Sequence, residues 1–110
     1  MQTLSKAELK RMNEVEHEDF VLINVLPQQA FNEKHIRTSI NIPHDQEGFA
    51  RKVEEVVGSK NRKIVLYCAS FDCPASSDAC AILEEQDFTR IYDYEGGTKD
   101  WFDQKQANAA

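Results

Sequence analysis

The apolar residues of the chain fall into short continuous runs separated by polar segments with helical spacing. FVLINVL (residues 20–26) and IVLYC (64–68) are almost entirely apolar and rich in β-branched residues, which is typical of strands buried on both faces. Shorter strands are predicted for TSINIP (38–43) and for Phe88 to Tyr92. Because strands alternate with helical segments, the sequence predicts an α/β fold with a mostly parallel central sheet covered by helices on both faces.

The polar segments carry signals for helix starts and ends. Ser5 and Glu8 form a capping box before a helix predicted over Lys6 to Val15, and Leu4 and Leu9 have the spacing of a hydrophobic staple. Further helices are predicted over QQAFNEKHI (28–36), from Asp45 or Gln46 through FARKVEEVV to Gly58, from Pro74 or Ala75 to Gln86, and over TKDWFDQ (98–104).

Length and composition predict one globular domain. A chain of 110 residues suits a single core, and 41% hydrophobic with 29% charged residues is a globular balance. We expect residues 1–110 to form one domain with its core over about residues 5–102 and a flexible tail at 103–110.

Charge and hydropathy exclude several classes of partner. The net charge is −6, and no basic stripe accompanies the lysines and arginines, so neither nucleic acid nor an anionic membrane is an expected partner. The N-terminal segment has no apolar stretch of signal-peptide length, and no window approaches the roughly 18 apolar residues of a membrane span. We therefore expect a cytoplasmic protein with reduced thiols.

The motifs of common cofactors and metal sites are not found. No glycine-rich segment matches the GxGxxG or GxxxxGK fingerprint, so no nucleotide cofactor is expected. The cysteines at positions 68, 73 and 80 do not form a Cys-x-x-Cys pair, which argues against structural zinc. The sequence predicts no cofactor and no metal.

The stretch YCASFDCPASS (67–77) carries the candidate chemistry. In a parallel sheet ligands bind beyond the carboxyl ends of the strands, and Cys68 lies at such an end. The start of the following helix favours an anion there and lowers the pKa of a nearby thiol. Burial as a small apolar residue is an equally good interpretation of Cys68, since free cysteine is among the most buried residue types.

Three sequence blocks, in the same order as in the family, resemble the single-domain rhodanese family of sulfurtransferases. The resemblance extends from about Ser5 to Phe102. The blocks are LINVLPQQAFNEKHIRTSINIP, IVLYCAS and YEGGTKDW. The resemblance implies the rhodanese-like three-layer fold. It also implies that Cys68 is a nucleophile that accepts a sulfane sulfur as a persulfide and passes it to an acceptor thiol or other nucleophile. The residues that would surround this sulfur are Ala69, Ser70, Phe71, Asp72, Pro74 and Ala75.

The loop departs from the family pattern at its arginine. Counted from Cys68, the arginine position holds Cys73; counted back from the helix, the loop is about two residues longer and the position holds Ala75. Because no neutral residue replaces bidentate anion recognition by arginine, thiosulfate should be a poor donor. Asp72, and Pro74 in place of a phosphatase arginine, argue against the related cell-cycle phosphatases.

CASFDCPAS resembles family members with a lengthened loop and a second cysteine. In such a loop Cys73 could attack a persulfide on Cys68, release sulfide and leave a disulfide. The expected partners are a sulfane-sulfur donor and a thiol acceptor, small or protein-borne. The alternative hypothesis is a module that has lost catalysis with its arginine and binds a partner or senses thiol oxidation.

Other candidate residues favour structural roles. Cys80 lies among alanines of the predicted helix and is expected in the core. His35 has no paired acid in the sequence, and a single histidine without one is weak evidence for a catalytic role. His44 is expected to be solvent-exposed at the end of a strand. Trp101 is expected to pack the last helix onto the domain.

Overall fold

Five parallel strands form the central sheet of the computed structural model, which describes residues 1–15 and 19–103. In spatial order β1-β5-β4-β2-β3, the sheet places β4 at its centre. The strands are β1 (Gln2–Leu4), β2 (Val21–Asn24), β3 (Ile40–Asn41), β4 (Ile64–Tyr67) and β5 (Ile91–Tyr94). All four pairings are parallel, as the sequence predicts.

Helices connect these strands. They are α1 (Lys6–Lys10), which continues as a π-helical turn (Arg11–Val15), α2 (Gln28–Glu33), α3 (Phe49–Val57), α4 (Ala75–Glu85) and α5 (Gly97–Trp101). The capping box at α1 is confirmed: the Glu8 backbone N–H donates to Ser5 Oγ at 3.2 Å, and the Ser5 N–H donates to Glu8 Oε1 at 2.9 Å.

The core has two layers, one on each face of the sheet. One face packs Leu66 and Ile23 against apolar residues of α3 and α4 such as Val53 and Leu83. The other face packs residues of β4 and β5 against α1 and α5, and it includes Leu9, Leu22, Tyr67, Tyr94 and Trp101. The predicted α/β fold, with helices on both faces of a parallel sheet, is confirmed.

Several predicted boundaries are wrong; α5, for example, is Gly97–Trp101 rather than 98–104. The last strand is Ile91–Tyr94 rather than 88–92, because the Phe88 N–H bonds back to Leu83 O at 3.1 Å and closes the turn after α4. Helix α3 begins at Phe49 rather than at Asp45 or Gln46, since Gly48 has a left-handed φ of 79°. Helix α2 ends at Glu33, short of residue 36.

Strand β1 was not predicted. Its sequence QTL is short and mostly exposed, and it joins the sheet by parallel pairing with β5 at the edge. Of the predicted flexible tail, residues 103–110, all but Asp103 lie outside the described part of the chain. Within the described ranges, no helix has both the length and the apolar character that crossing a membrane requires.

Candidate active site

The cysteine loop lies at the carboxyl edge of the sheet, as the sequence predicts. Strand β4 ends at Tyr67, Cys68 follows, and residues 69–74 lead into α4 at Ala75. Cys68 is fully buried and belongs to the core layer of Leu66, so its side chain points toward α4. The strand thus places one thiol at the start of the longest helix described.

Helix α5 fixes the first part of this loop. The Thr98 N–H donates to Cys68 O at 3.0 Å and the Lys99 N–H donates to Ala69 O at 2.9 Å. Gly97 has a φ of 65°, and a Cβ at this position would lie 2.4 Å from Cys68 O. The loop therefore approaches the α5 backbone so closely that only glycine fits.

The sequence-predicted loop residues differ widely in exposure. Phe71 is 69% exposed, whereas Ala75 is 8% exposed and forms part of the core. Asp72 and Pro74 are also exposed, and Ala69, Ser70 and Cys73 are half-buried. The loop thus presents an aromatic and an acidic side chain to solvent beside two less accessible thiols.

The two cysteines of the loop contact each other. Cys68 Sγ donates to Cys73 O at 3.3 Å, and the Cys73 N–H donates to Ser70 O at 3.1 Å in the turn between them. Both thiols are free, as is Cys80. The loop holds Cys68 and Cys73 side by side without a disulfide.

The pKa values of the two thiols are shifted in opposite directions. Burial raises the pKa of Cys68, and this outweighs the hydrogen bonds that its thiolate would receive from Ser76. Burial also raises the pKa of Cys73, but donation from the Ala69 N–H, from Cys68 and from the Ala75 N–H leaves its pKa below the ordinary value. The thiol at the loop's end is therefore the more acidic one.

The sequence-based expectation of a lowered pKa at Cys68 is therefore wrong for the free thiol. In the free-thiol state the amides of Ala69 and Ala75 donate to Cys73. The backbone N–H of Ser76, one residue further along α4, is the one that donates to Cys68.

Ser76 and Asp93 were missed by the sequence analysis. Ser76 is 2% exposed, with its Oγ 3.5 Å from Cys68 Sγ, and Asp93 is 1% exposed on β5. Ser76 and Asp93 line the same cavity, and the Ser76 hydroxyl lowers the pKa of the Asp93 carboxyl. The available signal was a carboxylate inside the short apolar strand IYDY, where a buried charge needs an explanation.

A cavity of about 190 Å³ opens beside Cys73, while the buried Cys68 lies behind its walls. Its walls include Cys73 and Ser76 together with the carboxylates Asp72, Asp93 and Glu95. No lysine or arginine of the described residues lines it. A small molecule that reached Cys73 through this cavity would meet negative charge and hydroxyl groups.

The remaining sequence candidates have structural contacts. His35 stacks on Phe31 with ring centroids 3.8 Å apart, and its Nδ1 lies 2.7 Å from Phe31 O. Cys80 is fully buried in the core, and Trp101 packs edge-to-face on Tyr94.

His44 is half-buried rather than solvent-exposed, with its Nδ1 3.3 Å from a main-chain carbonyl, that of Val25. Over residues 1–15 and 19–103, no group of three or more His, Cys, Asp or Glu side chains is arranged to hold a metal ion.

Comparison with known proteins places this geometry in a family. The family model "Rhodanese-like domain" matches residues 5–104. A search of curated proteins finds no significant match.

Solved structures resemble the whole fold. The BH2092 protein from Bacillus halodurans is 24% identical, with a TM-score of 0.81 over 97% of this chain and 73% of its own. A rhodanese with anions from E. coli is 27% identical, with a TM-score of 0.64 over 74% of this chain and 91% of its own. The single-domain sulfurtransferase RDL2 from Saccharomyces cerevisiae is 14% identical, with a TM-score of 0.73 over 98% of this chain and 90% of its own.

Proposed function

The chain belongs to the rhodanese-like domain family, and from that premise we propose that it is a sulfurtransferase or persulfide carrier whose nucleophile is Cys68. The observation that carries the proposal is the position of this thiol. Cys68 follows the central strand at the start of α4, with a second thiol on the same loop and Cys73 O 3.3 Å from its Sγ.

The transfer consists of two displacements at sulfur. The Cys68 thiolate attacks the outer sulfur of a donor RS–SH, so a bond forms from Sγ to that sulfur while the bond to the donor sulfur breaks and RS⁻ leaves. An acceptor thiolate then attacks the same outer sulfur, becomes a persulfide and returns Cys68 as thiolate. No net oxidation occurs, because one sulfane sulfur moves between two thiols.

Cys73 offers a second outcome for the persulfide. Its thiolate would attack Cys68 Sγ, form a disulfide between the two cysteines and release the outer sulfur as HS⁻, so the thiols are oxidised as the sulfane sulfur is reduced. A dithiol reductant would restore the pair. The lowered pKa of Cys73 supports this role, since the attacking group must be a thiolate.

The donor class follows from the charge around the thiols. The loop between Cys68 and α4 has the sequence ASFDCP, with one carboxylate and no cation. A dianion such as thiosulfate would find no bidentate partner there, whereas a persulfide needs only the thiol and the loop amides. We therefore propose alkyl or protein persulfides as donors, and a cytoplasmic setting in which these thiols stay reduced.

The experiment compares sulfur transfer by the wild type, Cys68→Ala, Cys73→Ala and the core control Cys80→Ala. The donors are cysteamine persulfide and thiosulfate, and the adducts are located by mass spectrometry. We expect a persulfide on Cys68, loss of transfer in Cys68→Ala, and loss of sulfide release alone in Cys73→Ala. Activity indifferent to Cys68→Ala would overturn the proposal.

The same experiment tests the alternative, a thiol redox-sensing module. That reading is favoured by the loop's lack of an arginine and by the acidic Cys73 thiol. A sensor would form the Cys68–Cys73 disulfide with peroxide but would transfer no sulfur to an added thiol. Transfer to β-mercaptoethanol that requires Cys68 would exclude a pure sensor.

A further inference from the structure

A buried carboxylate on β5 lies close to the cysteine loop without a full set of partners. Asp93 is 1% exposed, and its Oδ1 makes no hydrogen bond within the described residues. Burying a carboxylate with an unpaired oxygen costs free energy, so fold stability does not explain why Asp93 stands in the short strand IYDY.

The sheet register places Asp93 on the face of the reactive thiol. Asp93 pairs with Leu66 across β5 and β4, and Leu66 shares its core layer with Cys68. Because side chains alternate between the faces of a strand, Asp93 points toward α4, as Cys68 does. Both groups meet Ser76 in the first turn of that helix.

Ser76 lies between the two groups. The Cys68 thiol has one proton and two acceptors within reach, Cys73 O at 3.3 Å and Ser76 Oγ at 3.5 Å. Ser76 and Asp93 line the same cavity, and the hydroxyl lies near enough to the carboxylate to lower its pKa. A hydroxyl can accept one proton and donate another at the same time. The three side chains are therefore ordered so that a proton can pass from the thiol through the hydroxyl to the carboxylate.

We propose that Ser76 and Asp93 form a proton relay that deprotonates Cys68 when a sulfur donor is bound. The inference rests on the proposed role of Cys68 as nucleophile. Ser76 and Asp93 do not touch the transferred sulfur, so they act as positioning and proton-holding residues for the thiol.

The relay moves the thiol proton to the carboxylate and later returns it. The Cys68 S–H bond breaks as its proton moves to Ser76 Oγ, while the Ser76 proton moves to Asp93. The Cys68 electron pair forms the bond to the donor's outer sulfur, and RS⁻ leaves. The proton on Asp93 returns through Ser76 to Cys68 after the sulfur has passed to the acceptor and Cys68 is again a thiolate.

Charge conservation is the physical reason for such a relay in a buried site. Ionisation of Cys68 beside an ionised Asp93 would place two negative charges in the interior, whereas the relay keeps one charge and only moves it. Burial raises the pKa of Asp93, with Glu95 adding to the shift, which brings the carboxyl closer to the pH at which a general base works best. Cys80 of α4 also faces Asp93 and stays a neutral thiol, because burial strongly raises its pKa.

The test compares Asp93→Asn with the matched control Glu85→Gln, which makes the same change of charge on the exposed part of α4. We expect Asp93→Asn to lower kcat with cysteamine persulfide about 100-fold with KM within threefold, since that is the scale of general-base catalysis. Glu85→Gln should stay within twofold. A base must be ionised, so the wild-type kcat falls as pH drops through the Asp93 pKa, and Asp93→Asn should lose this acidic limb.

The expected result is different if Asp93 has only a structural or electrostatic role. Removing a neighbouring negative charge without a relay would make the Cys68 thiolate easier to form, so kcat would rise or stay unchanged and the acidic limb would persist. Either result would overturn the inference. The variant's fold is checked by urea unfolding, and Asn preserves the shape of the side chain.

Ser76→Ala and the double variant separate this inference from the proposed function. If the residues act as one chain, Ser76→Ala lowers kcat as much as Asp93→Asn, and the double variant is no slower than either. Multiplicative losses would overturn the relay. A wild type that forms no persulfide on Cys68 would instead show that the proposed function itself has failed.

Discussion

At the level of single residues, Gly97 is the position at which α5 lies too close to the cysteine loop for a side chain. Its φ of 65° is unfavourable for any side chain, and an added Cβ would lie 2.4 Å from Cys68 O and 2.7 Å from the Ala69 carbonyl carbon. Because these atoms are backbone, they cannot move aside as a side chain could. Gly58, with a φ of 88° and nothing within 4 Å of an added Cβ, has the strain without the contact.

The substitution Gly97→Ala is therefore expected to cost more than Gly58→Ala. Left-handed strain alone costs about 1–2 kcal/mol, and the added collision should raise the loss for Gly97→Ala to about 3 kcal/mol or more. Urea unfolding measures the loss. The rate of Cys68 alkylation by iodoacetamide, followed by mass spectrometry, should rise only in Gly97→Ala, because displacement of the loop exposes the thiol.

Equal destabilisation by the two substitutions, with Cys68 alkylated at the wild-type rate, would contradict this account of the loop. Gly58 lies at the end of α3, outside the cysteine loop, and an added Cβ there meets nothing within 4 Å, so it serves as a control for backbone strain alone.

At the level of elements, a buried hydrogen bond ties the last helix to the sheet. Tyr94 Oη donates to Asp100 Oδ2 at 2.6 Å, from the end of β5 to α5, and Trp101 packs edge-to-face on the same tyrosine ring. Because backbone N–H groups of α5 donate to the carbonyls of Cys68 and Ala69, this bond supports the cysteine loop indirectly, by fixing α5.

The substitution Tyr94→Phe should destabilise the domain by about 1–3 kcal/mol, since it removes the donor from a buried carboxylate. Tyr92→Phe is the control on the same strand; it leaves the ring under Lys63 and should change stability by less than about 0.5 kcal/mol. Burial and the bond to Asp100 raise the pKa of Tyr94 in the folded state. Its stabilising effect is thus present below the unfolded pKa of about 10 and lost as pH rises above it.

Urea unfolding at pH 8 and at pH 10.5 should therefore show a smaller alkaline loss for Tyr94→Phe than for the wild type. Parallel losses would mean that Tyr94 does not carry this linkage. Tyr92→Phe, measured at both values of pH, is the control for loss of a tyrosine hydroxyl from the same strand.

Locally specified elements were predictable from the sequence, and those set by long-range pairing were not. The apolar run of β4, the capping box of α1 and the helix after Pro74 depend on neighbours in the chain, and each is found. Strand β1 has no pattern of its own and depends on pairing with β5. The cysteine at the strand end was predictable, but its link to Asp93 requires the register of two strands.

At the level of the whole molecule, the net acidic charge and the carboxylates of the cavity both repel an anionic donor. The chain has 19 acidic and 13 basic side chains, and the cavity beside Cys73 carries Asp72, Asp93 and Glu95. A donor that approaches this opening meets repulsion from the local carboxylates and from the net charge of −6. Ionic strength reports on that repulsion, because the Debye length falls from about 30 Å at 0.01 M to about 3 Å at 1 M.

Turnover with thiosulfate should therefore rise with salt. We expect kcat/KM for this dianion to increase several-fold, up to about tenfold, between 10 mM and 500 mM KCl. Benzenethiosulfonate, a monoanion with the same kind of transferable sulfur, should show a rise about half as large on a logarithmic scale, since the interaction scales with the donor's charge. Asp72→Asn should reduce both slopes, because it removes the exposed carboxylate at the opening. A rate for thiosulfate that falls with salt would reveal a cationic docking site and would contradict this electrostatic picture.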